Sequence, residues 1–169
     1  MEADSSSNTG GCMKGDSAEV LEFSLAAENY ALDINIVREI VEMMPITVIP
    51  RAPVHITGVI NLRGEIVNIV NLNTFLKIPV RPITRDQKII VLMPEAAGGN
   101  NVGMIVDNVS SVTEISASQV DCMTDSIAGN DAKYIKGIIT QDQETKEGGR
   151  KTLVIWLDIH KMFKDIERN

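Results

Sequence analysis

The chain has 169 residues, enough for one medium domain or two small lobes and too few for a large multidomain enzyme. Its 16 Lys and Arg against 23 Asp and Glu leave a net charge of −7, which repels nucleic acid and anionic lipid, and 4% aromatic residues supply little for a base-stacking platform. The apolar residues are dominated by 22 Ile and 16 Val, β-branched aliphatics that suit buried, pleated strands, so the expectation is an all-β fold held by hydrophobic burial. Cys12 and Cys122 stand far apart, one of them in a polar stretch, which suggests no disulfide framework and fits a reducing cytoplasm. The first residues carry no basic start and no apolar stretch of signal-peptide length, and a hydrophobic run such as Ile89 to Met93 is far too short to cross a bilayer.

Residues 1–17 hold Ser, Asn, Thr, Gly and scattered charge with almost nothing to bury, and are expected to form a flexible tail. From Val20 to Leu25 and from Tyr30 to Ile34 two apolar runs flank Ala26-Ala27-Glu28-Asn29, the pattern of a hairpin. Ile34, Val37, Ile40, Val41 and Met44 also fit a helical stripe, but β-branching and Pro45 favour a short turn between strands over a long helix. The clearest local signal is Gly58 to Leu72, two apolar runs around a tight turn at Arg63-Gly64. Asn71 or Asn73 then caps a single helical turn through Phe75-Leu76, and Pro79 and Pro82 break regular structure at a candidate boundary between lobes. Lys88 to Met93 and Val102 to Val106 form a second hairpin across a Gly/Asn loop, and Met162, Phe163 and Ile166 give a short C-terminal helix one apolar face.

The second half of the chain echoes the first. Shifted by 72 residues, Leu32, Ile34, Val37 and Ile40 fall on Met104, Val106, Val109 and Val112. Gly58-Val59-Ile60 is answered by Gly137-Ile138-Ile139 at an offset of 79, and Ile69 to Leu72 with Phe75-Leu76 by Trp156 to Ile159 with Met162-Phe163 at 87. The eight extra residues belong in the polar stretch Asp142 to Gly149, expected to be a surface loop.

Chemistry-bearing patterns are absent from the sequence. His55 and His160 are the only histidines, with no Cys-x-x-Cys or His-x-x-x-His spacing, and there is no nucleophile elbow, phosphate loop or dinucleotide fingerprint. Asp33, Asp107, Asp121 and Asp158 sit in turn-like contexts where carboxylates cap backbone N–H groups. The expectation is therefore no enzyme, no cofactor and no metal, but an interaction module working through its surfaces. Arg63, inside a tight turn between apolar runs, offers a five-donor head for a carboxylate, and Glu39, set between Val37 and Ile40, is a candidate partner for it.

Gly58-Val59-Ile60-Asn61-Leu62-Arg63-Gly64, with Tyr30-Ala31-Leu32 to Val37-Arg38-Glu39-Ile40 before it and Val70-Asn71-Leu72 after it, resembles the CheW-like coupling proteins of bacterial chemotaxis. Val102 to Val109 and Tyr134 to Ile138, with Leu153 to Phe163, are similar to that family's second lobe. The resemblance implies two SH3-like five-stranded β-barrels around a shared hydrophobic core, with short helical turns and a short C-terminal helix. Such a domain would cover residues 18–166, with one subdomain at about 18–84 and another at about 85–166. It further implies a non-catalytic cytoplasmic adaptor, recruited to receptor arrays at the inner membrane without entering it. That adaptor links the cytoplasmic tip of methyl-accepting chemoreceptors to the regulatory domain of the CheA histidine kinase; a regulatory module of a kinase or of a non-flagellar chemosensory pathway is the alternative. By position, Val37, Glu39, Gly58 and Arg63 are implied coupling residues, with Glu39 and Arg63 as an ion pair, and Ile34, Val37, Val106 and Val109 would line an inter-lobe groove. Asn68 and Asn71 depart from the proline and aspartate that many members carry there.

Overall fold

A computed structural model describes residues 13, 15–122, 133–145 and 148–168. The β-branched runs form β1 (Ser17–Leu25), β2 (Glu28–Asp33), β3 (Val37–Glu42), β4 (Ile56–Leu62) and β5 (Glu65–Val70), followed by α1 (Leu72–Leu76). After a connector come β6 (Lys88–Leu92), β7 (Val102–Val106), β8 (Asn108–Ser116), β9 (Val120–Cys122), β10 (Ile135–Thr145), β11 (Gly148–Leu157) and α2 (Ile159–Arg168). The stretch that also fits a helical stripe is a 3-10 turn, Ile34–Ile36, leading into strand β3. Asn71 is the helix cap: its Oδ1 accepts the Asn73 N–H at 2.9 Å.

The strands make two sheets, and each sheet draws on both halves of the chain. One runs β3-β6-β7-β5-β4, the other β8-β1-β2-β11-β10-β9. In the first, the chain leaving β3 folds back so that Thr47 and Val59 exchange backbone hydrogen bonds of 2.8 and 2.9 Å, closing a five-stranded barrel. In the second, β8 and β9 are one strand bent by the 3-10 turn Ala117–Gln119; β8 pairs with β1 and β9 with β10, so this sheet closes as well. The expected split into subdomains at about 18–84 and 85–166 is therefore corrected. β1 and β2 belong with the C-terminal strands, and β6 and β7 with the N-terminal ones, because β2 pairs parallel to β11 and β5 parallel to β7. Pro79 and Pro82 lie in a connector within this interleaved fold, not at a boundary.

The internal repeat explains the exchange. Under the offset of 72, β2 falls on β7 and β3 on β8, so each half contributes the same elements to opposite barrels. Interior positions match accordingly: Ile60, Val67, Ile69 and Ile89 in the first barrel stand where Ile139, Val154, Trp156 and Val20 stand in the second. Between the barrels lies the largest core, in which Leu21, Phe23 and Leu32 meet Ile90, Leu92 and Met104. Met162 and Phe163 of α2 seal it, and α2 packs on the 3-10 turn Pro94–Ala97, whose Ala96 and Ala97 are buried. The all-β architecture with a shared core thus stands.

The eight additional residues lengthen strands instead of forming a loop. β10 and β11 stay paired through Asp142↔Lys151, Gln143↔Arg150, Glu144↔Gly149 and Thr145↔Gly148, whereas the equivalent hairpin ends at Leu62↔Glu65. Most of the expected tail, residues 1–12 and 14, lies outside the described residues, as does Cys12; Cys122 is not a free thiol.

Candidate functional site

The tight turn at Arg63-Gly64 connects β4 to β5. Both residues have positive φ, +51° and +89°, the two-residue turn whose twist matches a hairpin, and the Asn61 Oδ1 accepts the Gly64 N–H at 2.8 Å. This geometry swings the Arg63 side chain toward β3. There the Arg63 guanidinium donates to Glu39 Oε2 at 2.5 Å. A register shift in the pairing of β3 with β6, between Val37 and Glu39, makes Arg38 the extra residue of a bulge. Arg38 reaches Glu65 Oε2 at 3.2 Å and lies 3.7 Å from Glu39. Four alternating charges thus tie the edge of β3 to the hairpin tip.

The hydrogen bond from Arg63, aided by the charges of Arg63 and Arg38, holds the Glu39 carboxyl below its ordinary value against a smaller opposing effect of desolvation. Arg63 is correspondingly raised, first by the same bond. Glu39 is 25% exposed and Arg63 63%, so this is a surface pair whose net worth to folding is small, not a buried one. Ile40 and Ile66 are exposed large apolar residues on the strands that carry the cluster. Val112 and Leu153, their repeat equivalents, are exposed as well, so each barrel presents the same two apolar positions.

The remaining expected site residues separate. Gly58 is buried where the chain of the barrel closure crosses β4: a Cβ there would meet the Thr47 carbonyl oxygen at 2.4 Å and Ile46 Cγ2 at 2.7 Å, so glycine is needed for close approach. Val37 and Val109 are half-buried against the shared core. Val106 is fully buried, and the expectation that it lines a docking groove is corrected: it ends a strand that lies between β6 and β5 in its sheet and is part of the shared core.

Ile34 does line a groove of about 750 Å³ between the barrels, with Asn35, Met93, Ala96, Trp156 and His160. Its polar floor is Asp33, which accepts from Trp156 Nε1 at 2.6 Å and Lys136 Nζ at 2.9 Å, while the ammonium sits 4.5 Å from the Trp156 ring centroid. Arg38, Lys136 and Trp156 were absent from the sequence expectation. Trp156 carried a signal as the single tryptophan at a repeat position filled by Ile69 in the other barrel; Arg38 carried none, since its role depends on the bulge.

Two carboxylates that looked like caps are caps: Asp158 Oδ1 accepts the Lys161 N–H at 3.0 Å at the start of α2, and Asp107 Oδ2 accepts the Ala26 N–H at 2.8 Å. Among the described residues no group of three or more His, Cys, Asp or Glu is placed to hold a metal, and no helix is long and apolar enough to cross a membrane.

Comparison with known proteins gives a consistent result. Residues 19–167 match the CheW-like domain family. The Chemotaxis protein CheW of Treponema pallidum (strain Nichols) is 32% identical over 157 residues, covering 88% of this chain and 84% of that protein. The Chemotaxis protein CheW of Thermotoga maritima is 32% identical over 148 residues, covering 88% and 89%. The crystal structure of the scaffolding protein TtCheW from Thermoanaerobacter tengcongensis superposes with a TM-score of 0.66 at 31% identity, covering 83% of this chain and 88% of that one.

Proposed function

This chain belongs to the CheW-like family, and on that premise we propose that it is a non-catalytic cytoplasmic adaptor of chemotaxis signalling, coupling chemoreceptors to the CheA histidine kinase. The observation that carries the reading is the family match across residues 19–167, which spans strands of both barrels. The surface chemistry supports it. The first barrel offers a charge-locked hairpin tip, Arg38, Glu39, Arg63 and Glu65, on strands that expose Ile40 and Ile66, the mix of apolar contact and orienting charge that suits a protein interface.

In this reading Glu39 and Arg63 orient the kinase-facing surface, while Val37 and Gly58 act from beneath by shaping β3 and β4. The inter-barrel groove beside Ile34 receives the receptor tip; Val109 packs on the shared core and is not among the described residues that line the groove. Isothermal titration against the isolated regulatory domain of a CheA kinase from the same organism tests the proposal. Saturable one-to-one binding at micromolar affinity or tighter is expected; no heat and no complex by a second method would overturn it.

A further inference from the structure

The two barrels share many interior positions but diverge at the end that carries the Arg63 hairpin in the first. In the first barrel the mouth is plugged by Val41, Leu62 and Val91 under the Glu39 and Glu65 carboxylates, each bonded to a guanidinium. The repeat offsets carry Val41 to Thr113, Leu62 to Gln141, Glu39 to Ser111 and Glu65 to Thr152. Val91 faces Gly103 across its strand pair as Glu22 faces Ala31, so Glu22 takes the place of Val91. Arg38 becomes Ser110, and the two-residue turn bearing Arg63 is replaced by the strand extension 142–151. The second mouth has lost both arginines and the carboxylates they bond, and carries a new carboxylate, Glu22, where the first barrel has Val91.

What results is an open cavity of about 490 Å³ lined by Glu22, Ser111, Thr113, Gln119, Gln141 and Asp142, among others, with no Lys or Arg in its wall among the described residues. Glu22 is half-buried, and its Oε2 accepts from Gln141 Nε2. Ser111 and Thr113 hydroxyls lie 3.5 Å apart, and the Gln119 amide points along the wall to the Thr140 carbonyl at 3.4 Å. The polar lining disfavours an apolar segment, and the carboxylates disfavour phosphate. It is rich in acceptors around one partly desolvated negative charge, the arrangement that a planar five-donor cation satisfies better than a compact ammonium.

We propose that the mouth of the second barrel binds the guanidinium of an exposed arginine on a protein partner, with Glu22 as its counter-ion. The partner's arginine completes in the second barrel the carboxylate–guanidinium cap that Arg38 and Arg63 supply from within in the first. The site lies on the second barrel alone and stands whatever the kinase titration returns.

Backbone and side-chain amide NMR of the full chain, titrated with the blocked peptide acetyl-Gly-Arg-Gly-amide, tests it. Saturable shifts at Glu22, Gln119 and Gln141 are expected in the millimolar range; the citrulline peptide gives none, the lysine peptide binds several-fold more weakly, and Glu22→Gln weakens binding about tenfold. A Thr113→Val, Gln141→Leu double variant rebuilds the apolar plug of the first barrel and is expected to fold and lose binding, which covers the case in which Glu22→Gln does not fold. Equal response to the citrulline peptide, no saturation, or binding unaltered in both variants overturns the site. Saturation by free L-arginine but not by the blocked peptide overturns a protein partner as its source.

Discussion

Gly58→Ala is expected to act through the fold and not through a lost contact with a partner. The new methyl would start 2.4 Å from the Thr47 carbonyl oxygen, about 1 Å inside ordinary van der Waals contact at 3.4 Å, and 2.7 Å from Ile46 Cγ2. The oxygen is backbone and cannot swing away like a side chain. Relief requires the closing segment to move out by about that distance, which breaks the two Thr47–Val59 hydrogen bonds of 2.8 and 2.9 Å and loosens Ile46 from the first barrel's core. Two hydrogen bonds at about 1 kcal/mol each, with an overpacking penalty of about 1–2 kcal/mol, give about 3–4 kcal/mol. For a domain of this size that is a fall in Tm of about 6–16 °C. Gly137, its repeat equivalent, meets Asp121 O and Val120 Cγ1 at 3.0 Å, so Gly137→Ala is expected to cost less. Thermal unfolding by circular dichroism reads both. A Gly58→Ala protein with wild-type Tm, or one that is fully folded yet deficient in partner binding, would refute the packing account.

Arg63→Ala is expected to leave Tm close to that of the parent while weakening partner affinity, because the guanidinium is 63% exposed and bonded only at its tip to Glu39; a double-mutant cycle with Glu39→Gln on binding enthalpy should show coupling between the two, and strict additivity would reject the pair's role. The Glu39 carboxyl is depressed in the folded state, so its contribution is complete above the unfolded value of 4.5 and is lost as pH falls through the lower folded value; Glu39→Gln should remove that part of the acid dependence in a pH series of denaturant melts. Burial lowers the His55 pKa below 6.5, so the unfolded chain takes up this proton first and stability declines as pH falls through 6.5 toward the folded value, a slope that His55→Gln should flatten. Ala26 and Ala27 occupy left-handed backbone, φ +53° and +68°; Ala27→Gly relieves a strain of about 1–2 kcal/mol against about 0.4–1 kcal/mol of added unfolded-state entropy, so Tm should rise by a few degrees, and a fall would show the turn to be unstrained.

The strands β1 to β7, the Arg63-Gly64 hairpin, a cap at Asn71 or Asn73 and the amphipathic C-terminal helix are legible in the sequence because each is local: period, turn residue and cap lie within a few positions of one another. The Glu39–Arg63 pair was legible for a related reason, two charges isolated among apolar neighbours. The exchange of strands between barrels was not read, although the repeat contained it. Pairing of β2 with β11 joins residues more than 120 positions apart, and two compact halves satisfy the same hydrophobic pattern as two interleaved barrels. The extension of β10 and β11 carries no such signal, because Asp142 to Lys151 shows no alternation of apolar and polar residues to mark it as strand. Val106 does not line the groove as expected, because its repeat partner Ile34 lies in a 3-10 turn facing the groove while Val106 ends a central strand.

Coupling itself is tested most directly by CheA autophosphorylation measured with chemoreceptor signalling fragments in the presence and absence of this protein. Receptor-dependent control of kinase activity that requires the protein, saturates with it and is impaired by Arg63→Ala is the predicted result. Kinase activity indifferent to the protein at concentrations that saturate the regulatory domain would contradict the account.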